Sequence, residues 1–113
     1  MNANQVQALI EVLLNPKADI GGRDDAAMDL YATDDPRARA ALLKVASDAS
    51  TPHIVRASAG ESLGQVTVAT KCPLSKSERT QLMPEARHEY DVFHEVACTT
   101  AASDRAGDSR EPR

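Results

Sequence analysis

Residues 35–66 read DPRARAALLKVASDASTPHIVRASAGESLGQV. Asp35 followed by Pro36 marks a helix start, because the aspartate can accept from free first-turn amides and a proline there gives up no hydrogen bond. Ala38, Ala41, Leu42, Val45 and Ala46 then recur at three- and four-residue steps, the period that gathers them on one helical face. The spacing predicts a helix from Pro36 to about Ser47. Thr51-Pro52 repeats the start signal, and a second helix from about His53 to Val66 turns Val55, Ala59, Leu63 and Val66 inward. Val66 to Thr70 is the nearest thing to a strand in the chain, too short and isolated to build a sheet.

The same pattern precedes it. A helix over Ala3 to Leu14 carries Val6, Leu9, Ile10 and Leu13 on one face, opens on an Asn2/Gln5 capping box and stops at Asn15-Pro16. A second, about Gly22 to Thr33, follows Gly21-Gly22, places Asp24 and Asp25 in its first turn, and carries Ala26, Ala27, Leu30 and Tyr31 inward. Shifting the chain by 33 positions lays Ala8, Leu9 and Val12 over Ala41, Leu42 and Val45, and Arg23, Ala26 and Leu30 over Arg56, Ala59 and Leu63. Helix, turn and helix stay in phase across the shift, which reads as a tandem duplication, the alternative being two amphipathic helix pairs of coincidentally equal length.

Beyond it, Thr67 to Leu74 reads as a loop and Ser75 with Glu78 as a capping box for a short helix over Lys76 to Leu82. Pro84 to about Cys98 reads as a longer helix packed through Ala86, Tyr90, Phe93 and Ala97. Residues 99–113 contain no large apolar side chain, cannot offset their ordering entropy by burial, and read as a disordered tail. The expected organisation is one domain over 1–98, with units at about 2–34 and 35–67 and degenerate capping helices at 75–98.

The residues of the second unit resemble a HEAT repeat, of the short HEAT-like kind also found in bilin lyases: Asp35-Pro36-Arg37-Ala38 through Leu42-Leu43, Ala46-Ser47-Asp48, then Val55-Arg56-Ala57-Ser58-Ala59 and Leu63-Gly64. The first unit keeps Arg23, Ala26 and Leu30 but has Gly22 where the pattern has valine. The resemblance implies an all-α fold, a short right-handed α-solenoid of antiparallel helix pairs with about five to six helices. Alanines 26 and 59 would let helices approach closely, and leucines 30 and 63 fill the space one turn on. Arg23 and Arg56 stand where a cation is misplaced on its own helix dipole, so each should reach an acid or carbonyl in a neighbouring turn, Asp48 being a candidate for Arg56.

Composition bounds the function. The chain has 113 residues, 42% of them apolar, a net charge of -4, three aromatic side chains and no tryptophan. That is one domain, too small for separate cofactor and substrate domains. Thirteen Lys and Arg that form no run argue against nucleic acid, and no apolar stretch approaches the ~20 residues a membrane helix needs, so a cytoplasmic protein is expected. Cys72 and Cys98 lack the short spacings of a zinc cluster or disulfide framework; reduced thiols are the plain reading, a bridge or a reactive thiol the alternatives.

Signatures of catalysis are missing: there is no nucleophile elbow, phosphate loop or HExxH. His88, Asp91 and Glu95, with His94, share one helix and would leave a metal's coordination incomplete, so no metal is expected. His94 with Cys98 has no third group to orient the histidine. His53, at a helix start, reads as an ordinary surface residue. No enzyme and no cofactor are therefore expected.

Charge is more informative. Residues 1–35 hold seven acids against Lys17 and Arg23. The resemblance implies that second helices line a concave side, presenting Asp24, Asp25, Met28, Asp29 and Glu61. A methionine among carboxylates suits a basic partner protein, whereas a methionine packed in its unit beside merely solvated acids is the plainer reading. Among small proteins of this kind are immunity proteins and adaptor subunits. The alternatives are an accessory subunit of a lyase, although no aromatic-lined groove for a tetrapyrrole is evident, and a homodimer formed through the open face of the first helix, around Val12 and Leu14.

Overall fold

Helix α1 spans Ala3–Leu14. Its capping box is complete: Asn2 Oδ1 accepts from Gln5 N at 2.8 Å and Gln5 Oε1 from Asn2 N at 2.8 Å. Val6, Ile10 and Leu13 are its buried face. The protein is described from a computed structural model over residues 1–94; the expected tail 99–113, and Glu95, Ala97 and Cys98, lie outside the described residues.

Helix α2 covers Ile20–Asp29 and opens two residues earlier than its glycines suggested. The reason is Asp19, whose carboxylate accepts from Gly22 N at 3.1 Å and so caps the helix. Asp24 and Asp25 consequently stand beyond the first turn. A 3₁₀ turn, Leu30–Ala32, ends this segment; Leu30 is fully buried, but Tyr31, expected inward, is 53% exposed because the tighter turn swings it out of the core.

Helix α3, Pro36–Ala46, is capped by Asp35, which accepts from Arg37 N at 2.9 Å, and it buries all five residues expected of it. Helix α4 runs His53–Thr70, four residues past its expected end. Thr67 and Thr70 explain the extension: their hydroxyls donate to Leu63 O and Val66 O at 2.7 and 2.8 Å, so two residues that read as strand or loop satisfy themselves inside the helix. Its cap also differs, because Pro52 occupies the N-cap position without a side-chain bond and Thr51 is buried rather than capping. The helix ends at Lys71, in the left-handed region at φ 58°. Helix α5, Lys76–Gln81, has the expected Ser75/Glu78 capping box, and residues 84–94 form helix α6. All regular structure among the described residues is helical, and no helix there is long and apolar enough to cross a membrane.

Packing is pairwise. Helix α1 lies against α2 and α3, and α4 lies against α2 and α3, so each hairpin closes on itself while first helices adjoin first and second adjoin second. The core joins Leu13, Leu30, Leu42 and Leu63, all fully buried, with Leu82, Ala86 and Tyr90 from the C-terminal elements. Ala26 with Ala59 and Leu30 with Leu63 are buried in matched pairs, but the match of the first helices is not repeated in burial. Ala8 and Val12 are exposed and Leu9 is half-buried, whereas Ala41, Val45 and Leu42 are buried. The buried face of α1 instead matches that of α3 at a step of 32, from 6 to 38, 10 to 42 and 13 to 45. The helices α1 and α3 differ by one residue in length, which absorbs the slip.

Helix α6 seats on α4 through two glycines. A Cβ built on Gly60 would stand 2.7 Å from Ala86 Cα and closer still to its carbonyl oxygen, and one on Gly64 would stand 2.8 Å from Phe93 Cβ. Only hydrogen at these positions admits the approach. The Met83 amide donates to Ala46 O at 2.9 Å, occupying a carbonyl at the end of α3 that no helical amide reaches. Leu74 N donates to the Tyr90 hydroxyl at 2.9 Å, tying the 71–75 loop to α6.

Candidate functional site

The two arginines close their hairpins. Arg23, 6% exposed, donates from Nε to Leu13 O at 3.0 Å, in the last turn of α1. Arg56 donates to Ala49 O at 3.1 Å, just beyond the end of α3. Each thus holds a backbone carbonyl where its hairpin turns, Leu13 O within the last turn of α1 and Ala49 O in the loop after α3. The suggested Asp48–Arg56 pair does not form. Arg56 meets Glu85 instead, with Nε–Oε1 at 2.9 Å as an ion-pair contact rather than an aligned hydrogen bond and a second contact of 3.3 Å, and His53 Nδ1 lies 2.9 Å from the same carboxylate. Asp48 bonds Ser50, whose amide and hydroxyl hold its carboxyl below the usual range, with a smaller contribution from the Arg23 charge.

The five proposed contact residues divide. Met28, 48% exposed, and the exposed Glu61 line one groove together with Tyr31, Ser62, Gln65 and Phe93, with a volume of about 470 Å³. Its walls come from three places in the chain: α2 with its 3₁₀ turn, α4, and α6. Ser62 is fixed as floor by donating to Ala27 O at 2.6 Å. Asp29 lies in an adjoining hollow of about 650 Å³ beside Met1, Gln5 and Leu9, which shares Tyr31. Asp24 is half-buried and accepts from the Ser58 hydroxyl at 2.5 Å, a link between α2 and α4. Asp25 is exposed.

Of the α6 residues that could serve a metal or catalysis, Asp91 and His94 are engaged elsewhere. Arg79 Nε donates to Asp91 at 2.8 Å, and this bond holds the Asp91 carboxyl low. His88 is exposed. His94 stacks on Tyr90 with ring centroids 4.4 Å apart and lies 2.5 Å from Thr67 Oγ1. With the Thr67 hydroxyl donating to Leu63 O, its oxygen is left to accept from a protonated His94 Nε2. Among the described residues no group of three His, Cys, Asp or Glu side chains gathers as a metal site.

Burial lowers the His94 pKa below its ordinary 6.5, with Asp91 opposing more weakly. The unfolded chain thus binds this proton more readily than the folded one, so stability is full above pH 6.5 and falls as pH drops toward the folded value. Glu78 and Asp91 are lowered too, the first mainly by the Ser75 amide and the second by Arg79, and their contributions persist until pH falls below the ordinary 4.5 and 3.8. Urea midpoints measured across pH should decline in two stages. His94→Gln should remove the upper stage alone; a profile unchanged by that substitution would show that the histidine does not titrate on unfolding.

Neither the family models, nor the curated proteins, nor the solved structures compared with this chain match it. Two site features escape sequence reading. Helical spacing puts Tyr31 in the core, and Phe93 enters the groove where Gly60 and Gly64 let α6 approach. The Gly-x-x-x-Gly spacing of 60 and 64 is the signal that could have revealed the latter.

Proposed function

We propose that this chain is a non-catalytic binding module, a short right-handed solenoid of HEAT-like hairpins that holds a partner protein on the acidic face of α2 and α4. The arrangement of first helices beside first and second beside second, each hairpin closed by its arginine, supports the solenoid reading. The observation that carries the binding reading is an exposed apolar pair, Met28 and Tyr31, among exposed Asp25, Asp29 and Glu61. Between residues 18 and 36 Arg23 is the only cation, and it is buried. Apolar area next to uncompensated charge of one sign favours a partner of the opposite sign, which it would hold or block sterically, as an inhibitor or adaptor does.

The test is capture of partner protein from the native cell extract by wild type and by Asp25→Lys. The expected result is a discrete partner retained by wild type and lost by the variant; equal recovery by both would refute the acidic face. A second reading is self-association, favoured by the open side of α1, where Val12 is 38% exposed and Ala8 and Leu9 border the hollow beside Tyr31. Leu14 contributes less there, being half-buried against the core. A light-scattering mass of two chains that Val12→Glu returns to one would establish that reading.

A further inference from the structure

We infer that the groove between Met28, Tyr31 and Phe93 is the seat of a basic segment carrying an apolar anchor: one apolar side chain enters the groove while flanking lysines or arginines meet Glu61 and the carboxylates of α2. This rests on the partner-binding reading and narrows it to one groove and one partner chemistry. Two observations converge. The groove is walled by a methionine, a tyrosine and a phenylalanine, and its volume of about 470 Å³ suits a large side chain and the backbone on either side of it. Among the described residues its one charged lining side chain is the exposed Glu61, and no described lysine or arginine lines it.

An acidic partner would meet Glu61, Asp25 and Asp29 as like charges, and a purely basic one would leave the aromatic walls wet. The anchor and the charges are therefore both needed. Methionine suits such a wall because its unbranched, polarisable side chain adapts to the shape inserted.

Fluorescence anisotropy with three defined helical peptides tests the assignment: one of leucine and lysine, one with glutamate for lysine, and one with alanine for leucine. The leucine–lysine peptide should bind at least tenfold more tightly than either control. Glu61→Lys and Met28→Ala, both at exposed positions that leave the fold intact, should each weaken it several-fold, and Phe93→Ala should do the same in protein shown folded by circular dichroism. Equal binding of the three peptides would overturn the inference. So would a leucine–lysine affinity reduced by Asp25→Lys but untouched by the three groove variants, an outcome that leaves the acidic-face reading standing. Capture of native partner that Asp25→Lys does not affect would instead remove that broader reading.

Discussion

Leu63→Ala should cost about 4 kcal/mol of folding free energy and Leu30→Ala about 3. Both side chains are fully buried and occupy corresponding places in the two hairpins. They differ in what surrounds their helices. Helix α4 has α2, α3 and α6 against it, whereas the segment bearing Leu30 packs mainly on α1 and α4 among the described elements. A cavity opened where neighbours press from three sides relaxes less, so the cost per methylene lost is greater. For a chain whose whole stability is on the order of 5–15 kcal/mol, either substitution removes a large share. Urea unfolding monitored by circular dichroism reads both values, with midpoints lowered and slopes unchanged. A Leu63→Ala cost below 1 kcal/mol would mean that α4 is not the central helix.

The second large effect is at Gly60. Alanine there improves intrinsic helix propensity by roughly 1 kcal/mol, yet its methyl would collide with the Ala86 backbone, which cannot yield without lifting α6. Overpacking of that kind costs about 3 kcal/mol, so Gly60→Ala should destabilise by about 2 net, with amide exchange accelerated first in 84–94. Gly22→Ala is the control. Nothing stands within 4 Å of a Cβ at that position, so the same substitution should be neutral or stabilise by up to about 1 kcal/mol. Equal effects at the two glycines would show that α6 does not seat on α4 as described.

What the sequence made legible follows from how local each cause is. Capping boxes at Asn2 and Ser75, and the Asp35-Pro36 start, act over three residues and can be read directly. The start of α2 was also local, in the spacing of Asp19 and Gly22, but the paired glycines masked it. The β-branched run Val66 to Thr70 misled because propensity favours strand there, while the threonine hydroxyls find acceptors one turn back in the helix. Matching Ala8 and Val12 with Ala41 and Val45 failed for a different reason: identical letters at a fixed offset do not reveal a one-residue slip between two helical faces.

Non-local causes were less accessible. Arg56 takes Glu85, a residue 29 positions away, and no pattern within its own repeat points there. The groove was half legible. Met28 and Glu61 stood out by charge and by their correspondence in the duplication, but Tyr31 looked like core until the 3₁₀ turn rotated it outward, and Phe93 joins through a helix packing on glycine.

Where a basic ligand lands on the surface tells the groove from every other face. Titrating isotopically labelled protein with the leucine–lysine peptide and following backbone amide shifts locates the contact residue by residue. Perturbations should concentrate at Met28, Tyr31, Glu61, Gln65 and Phe93 and leave the α1 and α3 surfaces quiet. Shifts confined to α1 and α3, or none at saturating peptide, would contradict the groove as the contact site.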